Sequence, residues 1–283
     1  MTVRLSCNDY AWPALTHRTV LSIIRDLGFE GVDIGLFAEA THVTLSSVRA
    51  DPQRRAAAVR SDVESAGLLV ADVFLTSSLE LDRLTPTSRQ AGDVEELRNI
   101  FAATLEFADA LGALGVTMLP GVVATGQALE QAIDLAAEGL AALVEMGSQR
   151  GLAVSVEPLF GSCIETPQAT LQLLERCPGL TITLDPSHYA YIGTAAEQMT
   201  VVASRTRHVQ IRPAGLGVMQ CKVPDNQIDL RVLLAALHHA GYAGWIASEF
   251  VWMDKWQCDE VDNTAESKRL HELLTELLGE VSS

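Results

Sequence analysis

The sequence predicts a single (β/α)8 barrel over residues 1–283, and three observations carry that prediction. Short apolar, β-branched runs alternate with longer stretches of helical periodicity. A glycine often closes a helical stretch a few residues ahead of the next apolar run. The length suits one barrel of about 250 residues, and no charge block, composition shift or low-complexity linker marks a second domain.

In chain order the runs are Val3–Ser6, Gly31–Ile34, Leu68–Phe74, Gly115–Leu119, Leu152–Val156, Leu180–Leu184, Arg207–Ile211 and Gly244–Ser248. Each is short and mostly apolar, as parallel strands buried on both faces are. Ahead of the fifth, residues Leu129, Ala132, Ile133, Ala136, Leu140, Leu143 and Val144 fall on one helical face, and Leu270, Leu273, Leu274 and Leu277 repeat the pattern near the end. Thr166-Pro167 pairs an N-cap residue with proline at the first helical position. Gly28, Gly112, Gly151 and Gly241 stand where a helix ends in a left-handed residue. A doubly wound open sheet is the competing fold, but it usually carries a Gly-rich phosphate turn after its first strand. Here that stretch reads Cys7-Asn-Asp-Tyr-Ala-Trp-Pro13, without glycine. Patterning is weakest over Leu36–Arg49 and Thr76–Asp93, both after strands, where barrels build their sites.

With 48% hydrophobic and 20% charged residues, the chain can bury a large core, which excludes a disordered protein. Its net charge of −16 repels phosphate backbones and anionic membranes, so neither nucleic acid nor a membrane surface is expected as partner. The five cysteines include no Cys-x-x-Cys pair, and the start lacks a signal-peptide apolar run; a reducing cytoplasm is the expected setting. Gly121-Val-Val-Ala-Thr-Gly126 has P-loop spacing without its lysine and hydroxyl residue, and no Gly-x-Ser-x-Gly elbow occurs.

In such a barrel, chemistry projects from the carboxyl ends of the strands. Strand five ends in Glu157, strand six in Asp185 followed by Pro186-Ser187-His188, and strand eight in Glu249. Alternation along strand seven places His208, Gln210 and Arg212 on one face. Carboxylates crowded at the ends of apolar strands raise one another's pKa, a conflict that a divalent cation resolves. Glu157, Asp185 and Glu249 with the amide oxygen of Gln210 make an all-oxygen set suited to Mn²⁺ or Mg²⁺. His208 in place of Gln210 as fourth ligand would shift preference towards Mn²⁺, Co²⁺ or Zn²⁺, and His208 otherwise stands as a substrate contact.

At Val156-Glu157-Pro158, Leu184-Asp185-Pro186-Ser187-His188, His208-Val209-Gln210-Ile211-Arg212, Ile228-Asp229 and Gly241-Tyr-Ala-Gly-Trp-Ile-Ala-Ser-Glu249-Phe250, the sequence resembles the xylose isomerase-like TIM-barrel superfamily. Gly28-Phe-Glu-Gly-Val-Asp33 resembles that group's second strand, with Asp33 a weaker site candidate. The group holds ketose epimerases, hydroxypyruvate isomerases, inosose and dehydroshikimate dehydratases, and endonuclease IV. The resemblance implies that Glu157, Asp185, Gln210 and Glu249 ligate one metal. It further implies that His188 touches substrate and that Arg212 clamps substrate oxygens through its planar fork. Epimerases of the group often have histidine where this chain has Gln210, which shifts weight away from a ketose epimerase. The nuclease activity would need extra histidines where the chain has Val73-Phe74-Leu75 and Met118-Leu119-Pro120, and an Asp-x-His pair that is absent.

The implied activity is isomerisation or epimerisation of a small polyhydroxy substrate: a sugar, keto-polyol or hydroxy-keto acid. A metal would chelate its carbonyl and adjacent hydroxyl, and Glu157 and Glu249 would act as base and acid. A dehydratase begins with the same proton removal and stays open, as does a non-catalytic sugar-binding barrel. Members of the group are often dimers or tetramers, so a homodimer or homotetramer is the implied assembly. Trp252, Trp256 and Tyr242, near strand eight, read as packing residues.

Overall fold

The computed structural model describes residues 3–38, 41–78 and 80–281. Residues 39–40 and 79, inside the two weakly patterned segments, and both chain ends lie outside that description. Each expected apolar run is a strand: β1 (Arg4–Asn8), β2 (Gly31–Phe37), β3 (Leu69–Thr76), β4 (Gly115–Met118), β5 (Ala153–Val156), β6 (Thr181–Leu184), β7 (Thr206–Ile211) and β8 (Trp245–Ser248). All pair in parallel with their sequence neighbours, and β1 bonds β8 through Arg4↔Trp245 to Cys7↔Ser248, closing the barrel.

Around it run α1 (His17–Asp26), α2 (Leu45–Ala50), α3 (Pro52–Ser65), α4 (Ala91–Leu111), α5 (Leu129–Ser148), α6 (Pro167–Arg176), α7 (Pro186–Tyr191), α8 (Ala196–Met199), α9 (Leu230–His239) and α10 (Asn263–Val281). The Thr166 hydroxyl accepts from the amide of Ala169 at the start of α6, the expected cap. The four glycines expected to close helices all adopt positive φ, from 71° at Gly151 to 103° at Gly28. The apolar stripe of α5 (Ala132, Ile133, Ala136, Leu140, Leu143) is buried in one continuous core with outward strand residues such as Val116, Val154 and Val156. Each large side chain so buried stabilises the fold by roughly 1.5–3 kcal/mol.

Two features depart from the sequence expectation. The stretch from Leu36 is not all loop: β2 runs on to Phe37, paired as Leu36↔Leu75 and Phe37↔Thr76 with an equally prolonged β3, and Thr44 then caps α2. Strand β7 is also irregular. Thr206 and His208 pair with the consecutive residues Ile182 and Thr183, which leaves Arg207 as an extra, bulged residue. A bulge re-aims side chains, and Arg207 here reaches Asp72 on β3, Thr117 on β4 and Ser155 on β5. No helix among the described residues is long and apolar enough to cross a membrane.

Candidate active site

The carboxyl ends of β5 to β8 deliver Glu157, Asp185, Gln210, Arg212 and Glu249 to one buried floor, with His188 from the first turn of α7. Asp185 caps α7. Its Oδ1 accepts from the Ser187 amide at 2.8 Å and its Oδ2 from the Ser187 hydroxyl at 2.7 Å. Proline at the first position of that turn lacks the amide that would otherwise need a partner. Glu157, Asp185 and His188 offer ligand atoms that all lie within 4.8 Å of one another. No other such group of His, Cys, Asp or Glu occurs among the described residues.

Arg212 lies among these acids. Its Nη2 donates to Asp185 Oδ2 at 2.8 Å and to His188 Nε2 at 3.1 Å, its Nε donates to Ser187 Oγ at 2.9 Å, and Nη2 stands 3.9 Å from Glu249 Oε2. The expected clamp on substrate is therefore largely spent inside the protein, holding Asp185 in place. Because guanidinium only donates, His188 Nε2 accepts, which puts the ring proton on Nδ1; that atom is buried without a partner.

Electrostatics pushes the two carboxylates beside Arg212 in opposite directions. Burial would raise Asp185, but Arg212 and the Ser187 hydrogen bonds oppose it, and Asp185 is held below the ordinary carboxylate range. Burial raises Glu249 well above that range; Arg212 opposes this, whereas the charges of Glu157 and Asp185 add to it. Arg212 stays charged, since the neighbouring acids more than offset the cost of its burial.

Tyr10, in the turn after β1, was not singled out by the sequence reading. Its hydroxyl donates to Glu249 Oε1 at 2.8 Å and accepts from Gln210 Nε2 at 3.2 Å. The bond fixes the amide of Gln210 with its oxygen turned away from Tyr10. Gly35 makes room for the ring, since a Cβ there would stand 2.5 Å from Tyr10 Cδ1. The available signal was position, a hydroxyl two residues past a strand end; without the glycine contact it looks like any turn residue.

His208 is not at the floor. Alternation does turn it into the barrel, but one layer down, where its Nε2 meets Asp33 Oδ2 at 2.6 Å while Ser6 donates to Asp33 Oδ1 at 2.9 Å. Neither His208 nor Asp33 lines the cavity above the floor, so the structure brings neither within reach of a substrate there. Fully engaged with Asp33, His208 is also not offered as fourth ligand in place of Gln210.

A divalent cation fits this floor. Gln210 Oε1 and Glu249 Oε2 are buried acceptors without any hydrogen-bond partner, which is costly unless a cation or donor meets them. Glu157, Asp185 and Glu249 bring three carboxyl groups to the floor against one guanidinium, Arg212, so full ionisation would leave two negative charges for a cation to balance.

The chain is similar to several solved structures. An L-ribulose 3-epimerase superposes with a TM-score of 0.77 at 16% identity, covering 99% of this chain and 96% of that one. A D-tagatose 3-epimerase-like protein gives 0.78 at 17% identity over 99% and 100%. A xylose isomerase domain protein from Alicyclobacillus acidocaldarius subsp. acidocaldarius gives 0.74 at 18% identity over the whole of both chains. At such identities these likenesses establish the fold. No curated protein sequence matches significantly. Residues 21–276 match the family described as xylose isomerase-like TIM barrel, and with that span covering most of the sequence the chain belongs to this family.

Proposed function

We propose that the protein is a divalent-metal-dependent isomerase or epimerase that removes and returns a proton beside the carbonyl of a small hydroxy-carbonyl substrate. The observation that carries this reading is the pair of buried, unpartnered acceptors, Gln210 Oε1 and Glu249 Oε2, on a floor with an excess of carboxylate charge. Structural neighbours named as sugar 3-epimerases support the same reaction class.

Glu157, Asp185, Gln210 and Glu249 would hold the metal. Such an all-oxygen set suits Mn²⁺ or Mg²⁺. When bound, the cation would polarise the substrate carbonyl and so acidify the neighbouring C–H. The protein's own part is proton handling. Glu249, whose carboxyl Tyr10 orients, stands on one side of the floor and would give a proton. Glu157, from the other side of the floor, takes one, and the two exchange roles with direction. Tyr10 aims the Glu249 carboxyl, Ser187 and Arg212 aim Asp185, and His188 Nδ1–H is a spare donor for a substrate oxygen.

Incubation with Mn²⁺ and a panel of ketoses, inososes and hydroxy-keto acids in D₂O tests the proposal. Deuterium should enter the carbon skeleton beside the carbonyl, with product isomeric to substrate. Metal-loaded protein that incorporates no deuterium from any of them would end this reading.

A further inference from the structure

Above the carboxylate floor the walls change character. The cavity measures about 440 Å³, within the range of roughly 300–1,000 Å³ typical of sites for drug-sized ligands. Its polar side chains sit at the base: Glu157, His188, Arg212 and Glu249. The wall from β1 to β3 is aromatic. Tyr10, Phe37 and Phe74 form one cluster, with ring centroids 4.7 Å (Tyr10–Phe37), 5.5 Å (Phe37–Phe74) and 6.3 Å (Tyr10–Phe74) apart. Next to it, after β8, stand Val251 and Trp256, part of the same apolar cluster, which is distinct from the barrel core. Tyr10's hydroxyl is already committed to Glu249, so the walls offer hydrogen bonds only through Thr76, Ser78, Lys255 and the indole N–H groups of Trp252 and Trp256.

This apolar wall is built. Trp256 and Gln257 both take left-handed backbone, φ 60° and 58°, which is strained for residues with side chains. The buried Gln220 holds the segment: its Nε2 donates to the carbonyls of Val251 (3.1 Å) and Cys258 (2.7 Å), and its Oε1 accepts from the Val251 amide at 2.9 Å. Lys255 Nζ sits 4.2 Å from the Trp256 ring centroid, on the ring face. At the rim Trp252 and Met253 are 51% and 38% exposed. Strain maintained to present rings to a cavity directly above reactive groups points to a ligand that covers those rings.

Building on the proton-transfer reading above, we propose that the substrate is an amphiphile: a hydroxy-carbonyl head on the floor carrying an aryl-sized apolar substituent against Phe37, Phe74 and Trp256. A free ketohexose held by its carbonyl end would carry its remaining hydroxyls up among these rings. Each hydroxyl buried there without a partner loses its bonds to water and gains none. An aryl group in the same place gains from burial and from ring–ring contact.

The test uses two probes with the same hydroxymethyl-ketone head, 2-hydroxyacetophenone and D-fructose, titrated into the Mn²⁺-loaded protein by calorimetry. Head-group exchange in D₂O is followed by NMR. The phenyl ketone should bind roughly 10²-fold more tightly than the sugar, a difference of about 2.7 kcal/mol. Trp256→Ala should collapse that ratio and Trp256→Phe retain most of it. D-Fructose binding equally well or better, with deuterium entering its head, would overturn the apolar-tail proposal and leave the proton-transfer reading standing. An unchanged ratio in folded Trp256→Ala would overturn the assignment of the tail to this wall. Absence of binding by the phenyl ketone would overturn the apolar-tail proposal, whereas the proton-transfer reading falls only if no member of the wider panel takes up deuterium.

Discussion

Two charged layers lie one above the other inside this barrel, and they are finished differently. In the lower, Asp33 pairs with His208 and Asp72 with Arg207, supported by hydroxyls of Ser6, Thr117 and Ser155. None of those four charged or titratable side chains leaves a buried polar atom without a partner. In the upper, acids outnumber cations and two acceptors stay unsatisfied. A closed layer of matched charge and hydrogen bonds holds strands in register. An open one carries a cost that only a bound group recovers. Burial and carboxylate content are similar in both, so completeness of pairing, not polarity, separates scaffold from site.

The sharpest way to break this contrast is to remove one acid from the upper layer. Glu249→Gln keeps the shape and the hydrogen bond from Tyr10 but cannot exchange a proton. Turnover should fall about 10²–10⁴-fold with the fold retained, as read by deuterium incorporation and circular dichroism. Near-normal exchange would remove Glu249 from the chemistry. The lower layer should answer in stability instead. Arg207→Met leaves Asp72 buried and unpaired and should cost about 3–5 kcal/mol in denaturant unfolding, with no rescue by Mn²⁺. Arg212→Met in the upper layer should also destabilise the metal-free protein, yet recover on adding Mn²⁺, because a divalent cation answers the same acids. If both arginine variants respond to the metal alike, the two layers are not distinct.

How far the sequence revealed these layers follows from their physics. The strands were legible because runs buried on both faces must be apolar, and Glu157, Asp185 and Glu249 stood out because each ends such a run. The role of His208 was not legible. Strand alternation tells which residues face the barrel interior, but not at what depth, and depth depends on stagger and on the bulge at Arg207. The pairing of Arg212 was hidden for a related reason: its partner Asp185 belongs to the neighbouring strand end, and only the fold shows the guanidinium bonded there while still lining the cavity. The aromatic wall was invisible because Phe37 falls in the weakly patterned stretch after strand two, Phe74 reads as strand core and Trp256 as packing, until closure sets them around one cavity.

Metal binding gives the next effect in size and carries a pH signature. At a hundredfold excess over its Kd, a cation that binds only the native state should add about 2.7 kcal/mol. Glu249 has its folded pKa raised above the unfolded value of about 4.3. The native state thus holds its proton more tightly, and that contribution to stability is present below the unfolded value and lost as pH rises through the folded one. Asp185 runs the other way: its folded pKa is lowered, so its contribution is present above the unfolded value and lost as pH falls through the folded one. Metal-free protein should therefore lose Tm with rising pH above the ordinary carboxylate range, and Mn²⁺ should flatten that slope by releasing the Glu249 proton. Glu249→Gln should remove the slope without metal. A Tm that is flat with pH in the metal-free wild type would contradict the raised proton affinity assigned to Glu249.

The smallest expected effect lies at the seam between the two acceptors. Tyr10 joins Gln210 to Glu249, and in Tyr10→Phe the ring still fills the space that Gly35 leaves while both hydrogen bonds vanish. Loss of ordinary hydrogen bonds costs about 0.5–1.5 kcal/mol each, so unfolding alone says little about function. The informative readout is the split between metal affinity and turnover. If Tyr10 aims the Glu249 carboxyl, turnover should fall by about tenfold, equivalent to 1.4 kcal/mol, with Mn²⁺ affinity nearly unchanged, since Gln210 and Glu249 keep their free oxygens. If Tyr10 instead only fills space, turnover and affinity should both stay at wild-type values. A fall in affinity larger than the fall in turnover would show that the hydroxyl orients the ligand set rather than the proton-transferring group.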